Sequence, residues 1–239
     1  RLTKHLLQLV IERESWASGV FPKLSSKSRN SIASSLLTLR TRNNDERAGS
    51  ALLGLPLRSS DFMQLLTDVD GLRSEIDKSA AVFIMDCIRG KLDSLGNAND
   101  VFKLSTKLFD QLLSISSVSF AIEGDSGSRD YTRGAILQTL LSIHSHYKCQ
   151  LSKPTEKNRS NASKRKRSRS HSDVESLGVL SRQAEFLVGL VGGDTTAIQP
   201  LNSGRGRAVA LSLLTCLCEE SPSAVVTSLV PAMMCLAGV

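Results

Sequence analysis

Between residues 79 and 117 apolar side chains recur every three or four positions, and that rhythm constrains the fold more than any other feature of the chain. Ala81, Ile84, Ile88 and Leu92 form one stripe, and Val101, Leu104, Leu108, Leu112 and Ile115 form the next. This is the spacing of one face of an α-helix, not the two-residue repeat of a strand. Gly96-Asn97-Ala98-Asn99 interrupts the stripes. A helical hairpin is therefore predicted, its first helix ending near Gly96.

The same rhythm runs through most of the sequence. Leu2, Leu6, Leu9 and Val10 predict a helix ending near Ser15; Ile32, Leu36, Leu37 and Leu39 predict one from about Lys23 to Arg40. Two short helices follow. One runs from Glu46 to Leu55 and is stopped by Pro56; the other runs from Ser60 to Val69 with Ser60 or Asp61 as its cap. After the polar turn Glu123 to Ser128, a helix carries Ile136, Leu140, Ile143 and Tyr147 on one side with Leu137 and Leu141 beside them. A stripe that broad suits contact with helices on two sides. Helices resume at about Asp173 to Leu190, pause through Gly204, continue over Arg205 to Cys218, and close with Ser221-Pro222 leading into Val226, Leu229, Val230 and Met233. Ser221 suits the N-cap and Pro222 the first helical position. Pro231 falls inside that last pattern, where it bends a helix.

Aromatic residues are only 4% of the chain, and Val, Ile and Tyr do not alternate, so a sandwich or barrel is disfavoured. The fold class expected is all-α, an α-solenoid of HEAT-like antiparallel helix pairs at about 35 to 50 residues per pair. Three regions are expected: helical repeats over 1–149, a basic linker over 150–172, and helical repeats over 173–239. The linker is rich in Ser, Lys, Arg and Asn, with Leu151 and Ala162 its only apolar residues. Burial there cannot offset the entropy of ordering the chain.

The net charge of +7 points to nucleic acid until it is located. Residues 148–171 hold nine Lys and Arg and one acid, Glu156, leaving 21 basic against 22 acidic residues elsewhere. The helical part is thus close to neutral, which argues against a solenoid gripping a phosphate backbone along its length. Within the linker, Lys164, Arg165, Lys166 and Arg167, followed by Arg169, form a compact cationic block. Its form favours a nuclear import signal over a merely solvated charge run. It also suits non-specific contact with RNA phosphates, without base stacking, because no aromatic residue lies inside it. Phosphorylation of Ser160, Ser163, Ser168, Ser170 or Ser172 would cancel part of that charge, although serine enrichment of a linker is the plainer account of any single one.

Chemistry-bearing clusters are sparse. Cys87, Cys149, Cys216, Cys218 and Cys235 are odd in number, and three of them sit in apolar helical patterns. Free thiols in a reducing compartment are expected. His144, His146 and Cys149 lack a second ligand pair for structural zinc, and Cys216 and Cys218 point in different directions on a helix. No catalytic residue, cofactor site or metal site is assigned, nor any membrane span. The two glycosylation sequons at Asn158 and Asn161 are expected to go unused, since no signal peptide is read in this sequence. The chain opens on Arg1 and neither end has a polar cap, which reads as an internal segment of a longer protein.

Three stretches carry a resemblance. They are Asp130-Tyr131-Thr132 leading into Ile136 to Ile143, Arg207 to Leu214, and Ser221-Pro222 through Leu229-Val230-Pro231-Ala232-Met233-Met234. In order and interval they resemble one internal segment of the large HEAT-repeat protein of the small-subunit processome, the U-three snoRNA-associated protein ten family. The resemblance covers mainly residues 129–239, more loosely 79–117, and none of 1–78. It implies a non-enzymatic scaffold in the nucleus and nucleolus, part of a ribonucleoprotein that supports pre-rRNA processing, small-subunit biogenesis and rRNA transcription. The partners it implies are other processome proteins; pre-rRNA or snoRNA through the basic linker, and an import receptor, complete the set. The alternative is a HEAT-repeat nuclear transport or chromatin adaptor unrelated to ribosome assembly.

Overall fold

Helix starts are set by side chains that capture otherwise unpaired backbone N–H groups. In the computed structural model, which describes residues 2–12, 19–69, 72, 74–117, 126–151, 183–192 and 198–220, helices hold 84% of these residues, and strand pairing among them is limited to one antiparallel bridge, Ser117 to Ile198. The chain is all-α. Its contacts divide it into two compact units, Arg1–Ile115 with Gly127–Thr139, and Ser116–Ser126 with Leu140–Val239.

The first unit is built around one helix. After α1 (Leu2–Glu12) and a short 3-10 turn at Phe21–Lys23, α2 runs over Ser26–Arg42 and packs against α1, α3 (Glu46–Gly54), α4 (Ser59–Asp68) and α5 (Glu75–Arg89). Ser25 caps it, its hydroxyl accepting from the Ser28 N–H at 3.2 Å. Its buried face is Ile32, Ala33, Leu36 and Leu37. α3 begins where Asp45 accepts from the N–H groups of Arg47 and Ala48.

At α4 the cap differs from the expected Ser60 or Asp61. Arg58 is the N-cap, and Asp61, three residues on, reaches back to accept from the Arg58 N–H at 3.1 Å. The buried Asp61 carboxylate also holds Arg29 of α2, whose Nη2 lies 3.2 Å away, so one side chain starts a helix and ties it to the central one. A short polar residue near a helix start serves either role; only the tertiary partner decides.

Helix α5 opens with a reciprocal box, Ser74 and Asp77 each accepting from the other's N–H. It ends at Arg89, not near Gly96. The chain turns at Gly90 and forms a 3-10 turn over Leu92–Ser94, so Leu92 is only half-buried while Leu95 fills the core. Gly96, at φ +115°, takes the left-handed turn that a side chain would strain, and Asn97 caps α6 (Ala98–Ser116) through the Asp100 N–H. Val101, Leu104, Leu108, Leu112 and Ile115 are all buried, as the stripe predicts. Gln111 on this helix donates to the Leu66 carbonyl at 2.9 Å, tying α6 to the end of α4.

Helix α7 (Ser126–Leu151) contributes Ile136 and Leu137 to the first unit's core. In the second unit, Leu140 and Ile143 from α7, the apolar face of α8 (183–191), and Ala210, Leu213, Leu214 and Leu217 of α9 (Gly204–Glu220) are buried. The Leu201 N–H donates to the Leu190 carbonyl at 2.9 Å, and Arg207 returns to the Leu201 carbonyl at 2.7 Å, which fixes the approach to α9. Most of the linker 150–172, and all of the expected Ser-Pro helix with Leu229, lie outside the described residues.

Candidate functional site

The cations assigned from sequence, Lys164, Arg165, Lys166, Arg167 and Arg169, lie outside the described residues, as do the serines among them. His144 and His146 are half-buried, with the His146 ring edge-on to Tyr147 at 5.3 Å. Among the described residues no group of three His, Cys, Asp or Glu is placed to hold a metal ion, and no helix is long and apolar enough to cross a membrane. Cys216 is half-buried. Burial pushes the Cys87 thiol up to about 12, which keeps it protonated and unreactive at neutral pH.

The structure offers a site that the sequence did not. In the first unit a cleft of about 390 Å³ opens between the C-terminal end of α2, the outer face of α5 and the first turns of α7. Glu75, Ser79, Val82 and Asp86 fall on its α5 side at helical spacing, with Lys78 and Phe83 beside them. Arg40 and Asn44 enter from α2, and Ser128, Tyr131 and Thr132 from α7.

Its charges are arranged by exposure. Lys78 is almost fully enclosed, its side chain 4% exposed, and donates to Glu75 Oε1 at 2.6 Å, while Glu75 itself is 65% exposed. Ser128 donates to the other carboxylate oxygen, also at 2.6 Å, so Glu75 clamps α5 to α7. The bond from Lys78, then that from Ser128, holds the Glu75 pKa below its ordinary 4.5. Asp86, 51% exposed, pairs with Arg89, which continues to the Ala135 carbonyl and the Thr139 hydroxyl on α7. Arg40 lies across the floor, its guanidinium carbon 5.7 Å from the centre of the Phe83 ring and its Nη1 donating to Asn44 Oδ1 at 2.7 Å. Asn44 sits at φ +53°, and a Cβ at Gly49 would lie 2.7 Å from Arg40 Cδ, so the small residue leaves room for that side chain. Tyr131 stands at the rim, 70% exposed.

No protein-family model, curated protein or solved structure matches the chain. The cleft was hard to find from sequence because its three walls come from residues 40–44, 75–86 and 128–132. The one local signal was Glu75 followed by Lys78 at i, i+3, a spacing that pairs side chains on a helix.

Proposed function

We propose that this chain is a non-enzymatic helical scaffold segment of a small-subunit processome protein, acting in the nucleolus to support pre-rRNA processing, small-subunit biogenesis and rRNA transcription. One observation carries the proposal. In two of the resembling stretches one face is buried, Ile136, Leu137, Leu140 and Ile143 on α7 and Ala210, Leu213 and Leu214 on α9, while Leu141, Val209 and Leu211 beside them are half-buried and Ala208 is exposed, the one-sided burial that a packed helical repeat requires. In this proposal the helices continue as HEAT-like antiparallel pairs in a solenoid, and the third stretch adds a further helix after α9. The cations Lys164 to Arg167 supply nuclear import and, secondarily, contact with pre-rRNA or snoRNA phosphates.

Sedimentation tests it. A tagged protein containing this chain should travel with small-subunit precursors on a density gradient, and its depletion should cause unprocessed pre-rRNA to accumulate. A protein that stays nuclear and folded but sediments free of these particles, with processing unchanged on depletion, would refute the role and leave the transport or chromatin adaptor in its place.

A further inference from the structure

Helix α6 buries Val101, Leu104, Leu108, Leu112 and Ile115, yet it also carries large apolar side chains outside that stripe. Phe102 is 55% exposed and Leu113 49%. Eleven positions separate them, three turns plus about 20°, so they stand in one line about 16 Å long. Thr106 falls between them, and its hydroxyl already donates to the Phe102 carbonyl at 3.0 Å, so it adds no unsatisfied polar group to the line. Phe109, 6% exposed, borders the line on one flank. On the other flank Lys103 and Asp110 are exposed, and their side chains make no ion pair or hydrogen bond among the described residues.

We propose that this face of α6 pairs with the same face of a second copy of the chain, the two helices antiparallel about a two-fold axis. Such an interface must be self-complementary, each residue meeting a partner that meets it in return. The line meets that condition in one register. Laying Phe102 against Leu113 of the second copy also lays Leu113 against its Phe102, and the axis then passes between positions 107 and 108. Thr106, the smallest side chain of the line, falls near the axis, where crossing helices come closest. A two-fold axis across an antiparallel pair sets like flanks face to face. Lys103 therefore lies beside Asp110 of the second copy, offset by two positions or about 3 Å along the helix, and Asp110 lies beside its Lys103. The two charges left unpaired within the chain thus find opposite charges across the interface, twice over. Lys107 is about 130° round from the line, so its two copies stay outside the contact. A face of this size gives a weak pair, because only what exceeds the cost of association appears as affinity. The proposal does not depend on the processome role, so that either can fail without the other.

The experiment is sedimentation equilibrium on the full 239-residue chain over about a hundredfold range of concentration. The average mass should rise from that of one copy toward that of two. Lys103→Glu sets a carboxylate against Asp110 of the second copy, and Asp110→Lys sets an ammonium against its Lys103. Each should weaken pairing by about tenfold with helical circular dichroism unchanged. An equimolar mixture of these two variants should pair again, because each then supplies the charge the other lacks. Leu113→Ser, at an exposed side chain, should also weaken pairing by about tenfold. Three results overturn the proposal: a single copy at every concentration, which would leave the face to a different protein; full pairing in both charge variants, which would put the contact elsewhere; or no recovery in their mixture, which would remove the antiparallel register.

Discussion

Asp61 is the side chain whose removal separates a real tertiary tie from a decorative one. Its Oδ1 lies 3.2 Å from both Nε and Nη2 of Arg29, and its Oδ2 accepts from the Arg58 N–H that opens α4. Asp61→Ala deletes both at once. Arg29, whose side chain is 13% exposed, then keeps the Leu24 carbonyl as a partner but loses its counter-charge. Breaking a buried pair in this way costs about 3 to 5 kcal/mol. The lost cap is included, since such caps are worth about 1 kcal/mol. Asp61→Asn keeps an acceptor for one partner while losing the charge, and should cost about 1 to 2 kcal/mol. Replacing both partners by apolar residues, Arg29→Met with Asp61→Leu, should recover part of the loss, because no stranded charge remains. Urea unfolding followed by far-ultraviolet circular dichroism measures all three. The reasoning is refuted if Asp61→Ala costs less than about 1 kcal/mol, or if Ala and Asn cost the same.

Leu108 is fully buried in α6, and Leu108→Ala should cost about 2 to 5 kcal/mol by the same unfolding assay. Because the folded Glu75 pKa lies below 4.5, its contribution to stability is present above that value and is lost as pH falls through the folded pKa. Acid melting curves should therefore show α5 and α7 loosening below that range, and Glu75→Gln should flatten this part of the profile. Changing Lys164, Arg165, Lys166 and Arg167 to Ala should keep a tagged fragment in the cytoplasm with its helical circular dichroism intact; full nuclear accumulation would reject the import signal.

How much of this was legible depended on whether the deciding contact was near in sequence. The α6 stripe was readable because Val101 through Ile115 repeat at helical spacing over several turns and all face the core. The end of α5 was not, since Leu92 continues the stripe while Gly90 and the 3-10 turn after it set the boundary. Apolar spacing says which side chains want burial, not where the backbone stops being helical. Leu9 is exposed beside buried Val10, although both belong to one apolar pattern. Asp61 was visible as a cap candidate, but its bond to Arg29 spans 32 positions and no local pattern encodes it. The cleft was hidden for the same reason, its walls being brought together only by the packing of α2, α5 and α7.

The enclosed thiol of Cys87 makes the chain its own stopwatch. The thiolate is the form that attacks alkylating reagents, and a group held near 12 within a 1% exposed site offers almost none of it. Modification at neutral pH must then wait for α5 to lift from its neighbours. The rate at which Cys87 is trapped by a fast reagent, read on the peptide that carries it, thus counts openings of the first unit with no residue changed.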